Sequence, residues 1–117
     1  MDEILLVDGA NVVGSVPDGW WRDRRGAAER LRDHLAGHAE RTGATVVLVV
    51  EGAARGVESV PGVRVESASG SGDDHIVGFV EHAERPVAVV TADRELRRRV
   101  EELGARCAGP RTVWPER

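Results

Sequence analysis

A chain of 117 residues with 41% hydrophobic and 31% charged side chains has the length and composition of one globular domain, here residues 1–117. No apolar run approaches the roughly 20 residues that span a bilayer, which excludes a membrane partner for the chain. The net charge of -4 disfavours coating of nucleic acid by bulk charge, and a single cysteine, Cys107, fits a reducing compartment, so we expect a cytoplasmic protein.

The first half of the chain alternates apolar runs with one amphipathic stretch. Residues 4–7 form a continuous apolar run, which predicts a strand buried on both faces and ended by residues 8–11. The Gly-, Pro- and Asp-containing segment 14–19 predicts a loop. A helix is then predicted over residues 24–41, and residues 45–50 predict the second buried strand.

The middle of the chain continues the alternation. Residues 63–66 alternate apolar and polar side chains, which predicts a short strand nearer an edge of the sheet. Asp73 and Asp74 begin a predicted helix that Pro86 stops. Residues 87–90 form the third apolar strand.

The last predicted elements are a helix and a strand. Leu96, Val100 and Leu103 share one face of that helix, and residues 105–108 supply the last strand, to which residues 112–114 could add. Strands that alternate with helices in this way predict an α/β fold, with helices on both faces of a mainly parallel central sheet in three α/β/α layers.

Acidic side chains follow the predicted strands at their carboxyl ends. Asp8, Glu51 and Asp93 follow the three apolar strands, and Asp73 and Asp74 open a helix. Ligands of open α/β sheets bind at this edge, and if the first and third apolar strands are neighbours, Asp8 and Asp93 share one crevice. Carboxylates that meet there repel one another unless a cation lies between them. Oxygen ligands without Cys or His favour Mg²⁺ or Mn²⁺ over zinc.

Most of these acids also have a purely structural explanation. Taken singly, Asp73 and Asp93 are more typical of helix N-caps than of metal ligands, and Glu51 is as typical of a turn as of a metal site. Asp8 resists such an explanation, because an ionised carboxylate beside Ile, Leu and Val loses solvation and needs a partner. The sequence therefore predicts a metal site that begins at Asp8.

Three polar side chains accompany the acids. Asn11 follows Asp8 closely, where its amide either orients a water or a phosphate or forms an Asx turn. Ser71 and Thr91 each precede an acid by two positions, so each hydroxyl is placed to bind either the neighbouring carboxylate or the loop backbone. We treat both hydroxyls as auxiliary site residues.

An aromatic and basic segment follows the first loop. Trp20, Arg22, Arg24 and Arg25 combine a flat ring with guanidinium groups, a pattern that can stack bases and bind phosphate, so we predict substrate contacts here. Alternatively, Trp20 and Trp21 staple the first long helix to the core.

Three short runs carry a family resemblance. Residues 6–12 (Leu-Val-Asp-Gly-Ala-Asn-Val), 71–76 (Ser-Gly-Asp-Asp-His-Ile) and 89–95 (Val-Val-Thr-Ala-Asp-Arg-Glu) resemble the three acidic motifs of the NYN domain family, which belongs to the PIN-like nucleases. Their order and spacing match over nearly the whole chain. Within the family, the chain looks most like the small bacterial YacP-type proteins.

The resemblance implies a PIN-like sheet, a Mg²⁺ or Mn²⁺ site and hydrolysis of RNA phosphodiester bonds. It implies that Asp8, Asp73 and Asp93 are catalytic metal-binding acids, that Asn11 is the catalytic polar residue beside them, and that Asp74 is a further metal-binding acid. Glu51 stands where the related bacterial sequences often have Asp, and we treat it as auxiliary.

We therefore predict a metal-dependent ribonuclease with RNA as its substrate. The first alternative is a non-catalytic RNA- or protein-binding module of the same fold, which would have no need of the acids. The second is a phosphatase-like phosphotransfer enzyme. Against it, Ala10 stands where haloacid-dehalogenase-like phosphatases carry the second Asp of their nucleophile motif.

Overall fold

The computed structural model describes residues 2–114 and builds them around one five-stranded sheet. All neighbouring strands are parallel, and their spatial order is β3-β2-β1-β4-β5. The strands are β1 (Ile4–Asp8), β2 (Thr45–Val50), β3 (Val63–Ser67), β4 (Val87–Val90) and β5 (Arg106–Ala108). The predicted α/β class and parallel sheet are confirmed, and β3 lies at an edge as its alternating pattern indicated.

Four α-helices and three short 3₁₀ turns connect these strands. The helices are α1 (Gly9–Gly14), α2 (Arg24–Thr42), α3 (Gly72–His82) and α4 (Arg94–Glu101). The 3₁₀ turns are Trp20–Arg22, Gly52–Ala54 and Pro110–Thr112. Since α1 and α2 pack against one face of the sheet and α3 and α4 against the other, the predicted three layers are confirmed.

Two cores lie on opposite faces of the sheet because successive side chains of a strand point to opposite sides. Val7 of β1 packs with Leu31 of α2, whereas its neighbour Leu6 packs with Ile76 of α3 and Leu96 of α4. All five side chains are fully buried. The continuous apolar runs that predicted the inner strands therefore supply both cores at once.

Three predicted details are wrong. Asn11 lies in helix α1, where we expected strand end and loop; Gly9 can start the helix there because its lack of a Cβ lets it approach the Val49 carbonyl oxygen. Leu103 is exposed, because α4 ends at Glu101 before reaching it. Residues 112–114 add no strand, since Pro110 begins a 3₁₀ turn.

The strand order reverses at β1. The chain passes from β1 to β2 on one side and later crosses to β4 on the other, so the carboxyl ends of β1 and β4 border a switch point where α/β proteins bind ligands. Asp8 is the last residue of β1, at this point. No helix within residues 2–114 combines the length and apolarity that a bilayer crossing requires.

Candidate active site

Asp8 is a carboxylate held inside the protein. Its side chain is only 4% exposed, and it caps α1, where Oδ1 accepts a long hydrogen bond of 3.4 Å from the backbone N–H of Asn11. Oδ2 accepts a shorter bond of 2.9 Å from the Thr91 hydroxyl. Burial raises the pKa of Asp8 to about 6, and the negative charges of Asp73 and Glu51 push it in the same direction. The fold therefore holds an acid that is hard to ionise.

Thr91 joins two of the acids. Its fully buried hydroxyl donates to Asp8 and accepts a bond of 3.1 Å from the backbone N–H of Asp93. Its carbonyl oxygen accepts a bond of 2.8 Å from Arg97 Nε. Of the two roles that the sequence left open for this hydroxyl, the structure shows the bond to the loop backbone, and it adds a bond to the distant carboxylate of Asp8 that the sequence did not predict.

Asp73 lies in the first turn of α3. Ser71 is the N-cap of that helix, with its hydroxyl accepting a bond of 3.1 Å from the Asp74 N–H, so the capping explanation proposed for Asp73 is wrong. Burial raises the pKa of Asp73, followed by the charges of Asp93 and Glu51. Asp73 is thus a carboxylate beside other carboxylates, without a capping role.

Glu51 ties the end of β2 to the start of α3. Its Oε1 accepts a hydrogen bond of 2.9 Å from the Gly72 N–H, directly before Asp73 in the chain. A Cβ on Gly72 would collide with this carboxylate and displace it from the Gly72 N–H. Since Glu51 also raises the pKa of Asp8 and Asp73, it lies near both.

Asp93 is the N-cap of α4, which was the structural explanation that the sequence offered for it. Its Oδ1 accepts bonds of 3.0 and 3.1 Å from the N–H groups of Glu95 and Leu96. Capping does not remove it from the acidic set, because its charge raises the pKa of Asp73. The cap fixes one oxygen and orients the carboxylate at the switch point.

Asp74 lies apart from the other acids. Its side chain is 76% exposed, and Oδ1 accepts a hydrogen bond of 3.1 Å from Arg99 on α4. Its charge acts weakly on Asp73, and it is not among the groups that shift the pKa of Asp8. The structure therefore places this expected metal-binding acid on the outer rim, in an ion pair.

Asn11 bridges the two halves of the switch point. Its Oδ1 accepts a hydrogen bond of 2.8 Å from the Ala92 N–H in the loop between β4 and α4. This long-range bond replaces the local Asx turn that the sequence also allowed. Because the oxygen is engaged, the amide NH₂ is the part of Asn11 that can donate to a ligand.

The acidic set fits a hard divalent cation by the chemistry of its donors. The carboxylates of Glu51 and Asp73 raise the pKa of Asp8, and those of Glu51 and Asp93 raise the pKa of Asp73, so the four groups lie near one another. Among residues 2–114, no three Asp, Glu, His or Cys side chains converge into a ready-made metal cage. Mg²⁺ does not need one, because it is usually held by one or two carboxylates together with waters and substrate phosphate.

The aromatic segment before α2 lies partly in the core and partly in solvent. Trp20 packs against the core on the α2 face, and the Arg24 guanidinium lies 5.2 Å from its ring centroid. Trp21 meets Trp20 edge to face at 5.9 Å, is 52% exposed, and has Arg22 at 5.9 Å. The staple explanation therefore holds for Trp20 and not for Trp21.

Arg25 is engaged in hydrogen bonds within the protein. Its guanidinium donates hydrogen bonds of 2.9 and 3.1 Å to the carbonyl oxygens of Arg55 and Gly56. These bonds tie the start of α2 to the loop after β2. We therefore leave Arg25 out of the proposed substrate surface.

One contributor to the site was missed in the sequence. Arg97 was not among the predicted site residues, yet its bond to the Thr91 carbonyl oxygen fixes the end of β4. The available signal was its position four residues after the N-cap Asp93, where a helical side chain lies beside the preceding strand end.

Solved structures of known proteins share the fold of this chain. The crystal structure of Rae1 (YacP) from Bacillus subtilis matches with a TM-score of 0.79 and 24% identity, covering 95% of this chain and 70% of that chain. A mutant of the same protein matches with a TM-score of 0.78 and 23% identity, over 97% and 72% of the two chains. No protein-family profile matches the sequence, and neither does any curated protein. The chain therefore has a YacP-like α/β fold.

Proposed function

We propose that the chain is a metal-dependent ribonuclease that hydrolyses RNA phosphodiester bonds beside Asp8, Asp73 and Asp93. The observation that carries the proposal is the buried carboxylate of Asp8, which has Asp73 and Glu51 near it at the switch point of the sheet. An arrangement that hinders ionisation harms the fold unless a positive charge joins it. A bound divalent cation would relieve the repulsion among these carboxylates and would also serve the hydrolysis of a phosphodiester.

Asp8, Asp73 and Asp93 are the residues that would hold Mg²⁺ or Mn²⁺. Such an ion supplies a water that is more easily deprotonated and positive charge that stabilises the phosphate during displacement. Thr91 prepares Asp8 for this role, because its hydrogen bond to Oδ2 lowers the pKa of that carboxyl against the effect of burial. Asp93 is held in place by the same hydroxyl.

The remaining site residues bind and orient the substrate. The Asn11 NH₂ group is a donor for a phosphate oxygen, and the N-terminus of α3 places a positive dipole end beside Asp73. Glu51 holds the first turn of α3 through Gly72 and thereby positions Asp73. We assign Glu51 a positioning role because its Oε1 is already engaged.

RNA is proposed as the substrate on two grounds. The three acidic motifs resemble those of the NYN nucleases in order and spacing, and the chain shares the fold of Rae1 (YacP). The binding-module alternative predicts RNA binding without hydrolysis, and the phosphotransfer alternative predicts release of phosphate from monoesters. A binding module therefore gives no product from labelled RNA, and a phosphotransfer enzyme gives free phosphate in place of shorter RNA fragments.

The test is cleavage of 5′-labelled single-stranded and hairpin RNA with Mn²⁺, Mg²⁺ or EDTA. We expect product only with metal, and we expect Asp8→Asn to lower the rate at least about 100-fold, because the variant loses a charged ligand. Asp33→Asn is the matched control, since Asp33 is exposed on α2 and pairs with Arg32. The control should cleave at the wild-type rate.

Melting curves supply a metal-binding readout that does not depend on activity. Millimolar Mn²⁺ should raise the melting temperature of the wild type and of Asp33→Asn, because an ion that binds only the folded chain stabilises it. The increase should be largely lost in Asp8→Asn. Cleavage of RNA by Asp8→Asn at the wild-type rate, or cleavage by the wild type that persists in EDTA, would contradict the proposal.

A further inference from the structure

A small pocket opens directly beside the acidic cluster. It has a volume of about 100 Å³ and lies between α1, the first 3₁₀ turn, the start of α2 and the end of β2. We call it the Trp20 pocket. The residues that border it nearest the acids and at its rim are Gly9, Ala10, Trp20, Arg24, Val50 and Glu51.

We propose that the Trp20 pocket holds one unpaired base of the RNA strand, so that the enzyme selects single-stranded substrate. The proposal rests on the ribonuclease function above and adds a base-binding subsite to it. A base in this pocket places its sugar-phosphate beside Asp8, because Gly9 and Ala10 of the pocket wall follow Asp8 directly in the chain.

The size and the walls of the pocket favour a single flat ring system. Cavities that hold drug-sized ligands measure about 300–1,000 Å³, and a closed cavity on the order of 150 Å³ holds benzene, so an open pocket of about 100 Å³ takes up one ring in part and leaves the rest of the base outside. Val13, Ala28 and Ala54 make the interior mostly apolar. Such walls favour the face of a base over a sugar or a phosphate.

The charged groups at the pocket separate base from phosphate. Glu51 is one of the residues that line the pocket, and its negative charge disfavours a phosphate inside. Arg24 lines the same pocket and lies over the Trp20 ring at 5.2 Å. A guanidinium plane and an indole ring both stack on bases, and Arg also attracts the backbone phosphate outside.

The experiment measures binding, without requiring cleavage. A fluorescein-labelled single-stranded RNA octamer and a series with one abasic residue at each position are titrated by fluorescence anisotropy in EDTA. All proteins carry Asp8→Asn, which keeps the RNA intact. At one position, the abasic residue should weaken binding roughly tenfold or more, as expected for the loss of one stacked base.

Three further variants assign that loss to the pocket. Trp20→Leu removes the ring, and Ala10→Leu fills the pocket from an exposed position; in both, abasic and complete octamers should bind equally at the sensitive position. Trp21→Leu is the matched control, because its ring is exposed and lies outside the pocket, and it should keep the sensitivity. Melting curves establish that each variant is folded, and Ala10→Leu decides the matter if Trp20→Leu is not.

Several results would overturn the proposal. These are equal binding of all abasic octamers, unchanged sensitivity in Ala10→Leu, and loss of sensitivity in Trp21→Leu alone. If the wild type cleaves RNA but no abasic position weakens binding, the base-binding pocket is contradicted and the ribonuclease proposal is not. If one abasic position weakens binding only when Trp20 is present, but the wild type does not cleave RNA, the base-binding pocket is supported and the ribonuclease proposal is contradicted.

Discussion

Replacing Asp8 by Asn should make the metal-free protein more stable at neutral pH. The substitution keeps the size of the side chain and removes a charge that is 4% exposed and close to other carboxylates. Oδ2 can be kept as the carbonyl oxygen that accepts from Thr91, the shorter of the two bonds. The NH₂ group then replaces the oxygen that accepts at 3.4 Å from Asn11.

The magnitude follows from the two pKa values of Asp8. A carboxyl whose pKa is 3.8 in the unfolded chain and about 6 in the folded one destabilises the fold by about 3 kcal/mol once both forms are ionised. Asp8→Asn also loses the long hydrogen bond from the Asn11 N–H, which lowers its stability by about 1 kcal/mol. We therefore expect a net gain of about 2 kcal/mol at pH 7.5, or about 5 to 10 °C in melting temperature.

The gain must depend on pH, and its sign is fixed. Because the pKa of Asp8 is raised by folding, the folded protein binds more protons than the unfolded chain between about pH 4 and pH 6. Its stability therefore falls as the pH rises through that window, and the penalty is complete above it. Asp8→Asn has no such group, so its advantage should be large at pH 7.5 and small at pH 4.5.

Urea denaturation in EDTA at pH 4.5 and pH 7.5 measures these differences directly. Asp33→Asn provides the matched control, since loss of one exposed ion pair should change stability by less than about 1 kcal/mol at either pH. If Asp8→Asn is less stable than the wild type at pH 7.5, or if its advantage is the same at both pH values, the argument from burial is wrong.

Two more predictions concern the residues that hold the acids in place. Thr91→Val should lower the free energy of unfolding by about 1 to 3 kcal/mol, because Asp8 Oδ2 and the Asp93 N–H lose their partner. Thr91→Ser keeps the hydroxyl, so in urea denaturation its stability should lie within about 1 kcal/mol of the wild type. Equal stability of the Val and Ser variants would contradict this. Glu51→Gln keeps an acceptor for the Gly72 N–H and removes a charge near Asp8, so at pH 7.5 its melting temperature should be no lower than that of the wild type. Glu51→Ala loses the acceptor, and its free energy of unfolding should fall by about 1 kcal/mol. A Gln variant as unstable as the Ala variant would refute the positioning role.

The sheet could be predicted because the buried strands are short, continuous apolar runs. Val87–Val90 is bounded by Pro86 and by the polar segment that begins at Thr91, so its limits are readable from the residues alone. Helix α1 could not be read in this way. Its six residues include two β-branched valines and two glycines, which are weak helix formers, and Asp8 is its only capping signal.

The side-chain partners of the site depended on the tertiary fold. The acids could be placed at strand ends from periodicity, but the bond between Asn11 and Ala92 joins residues 81 positions apart. The separation of Asp74 from the other acids also depends on a partner, Arg99, that lies on another helix. Spacing along the chain indicates which residues share an edge of the sheet, whereas the direction of each side chain follows from packing.

Asp8 is the residue on which the physical case for a cation depends. An uncharged side chain at the end of β1 would avoid the loss of solvation that raises the pKa of Asp8, and the N-cap bond of Asp8 to the Asn11 N–H is long enough to be weak. Local structure therefore gives little reason for an ionisable group there. Thr91 and Asp93 add specific hydrogen bonds that fix the carboxylates instead of separating them. Repulsion that the fold fixes in place is useful to a protein when a positively charged ligand relieves it, which is the reason that metal binding and cleavage should be lost together in Asp8→Asn.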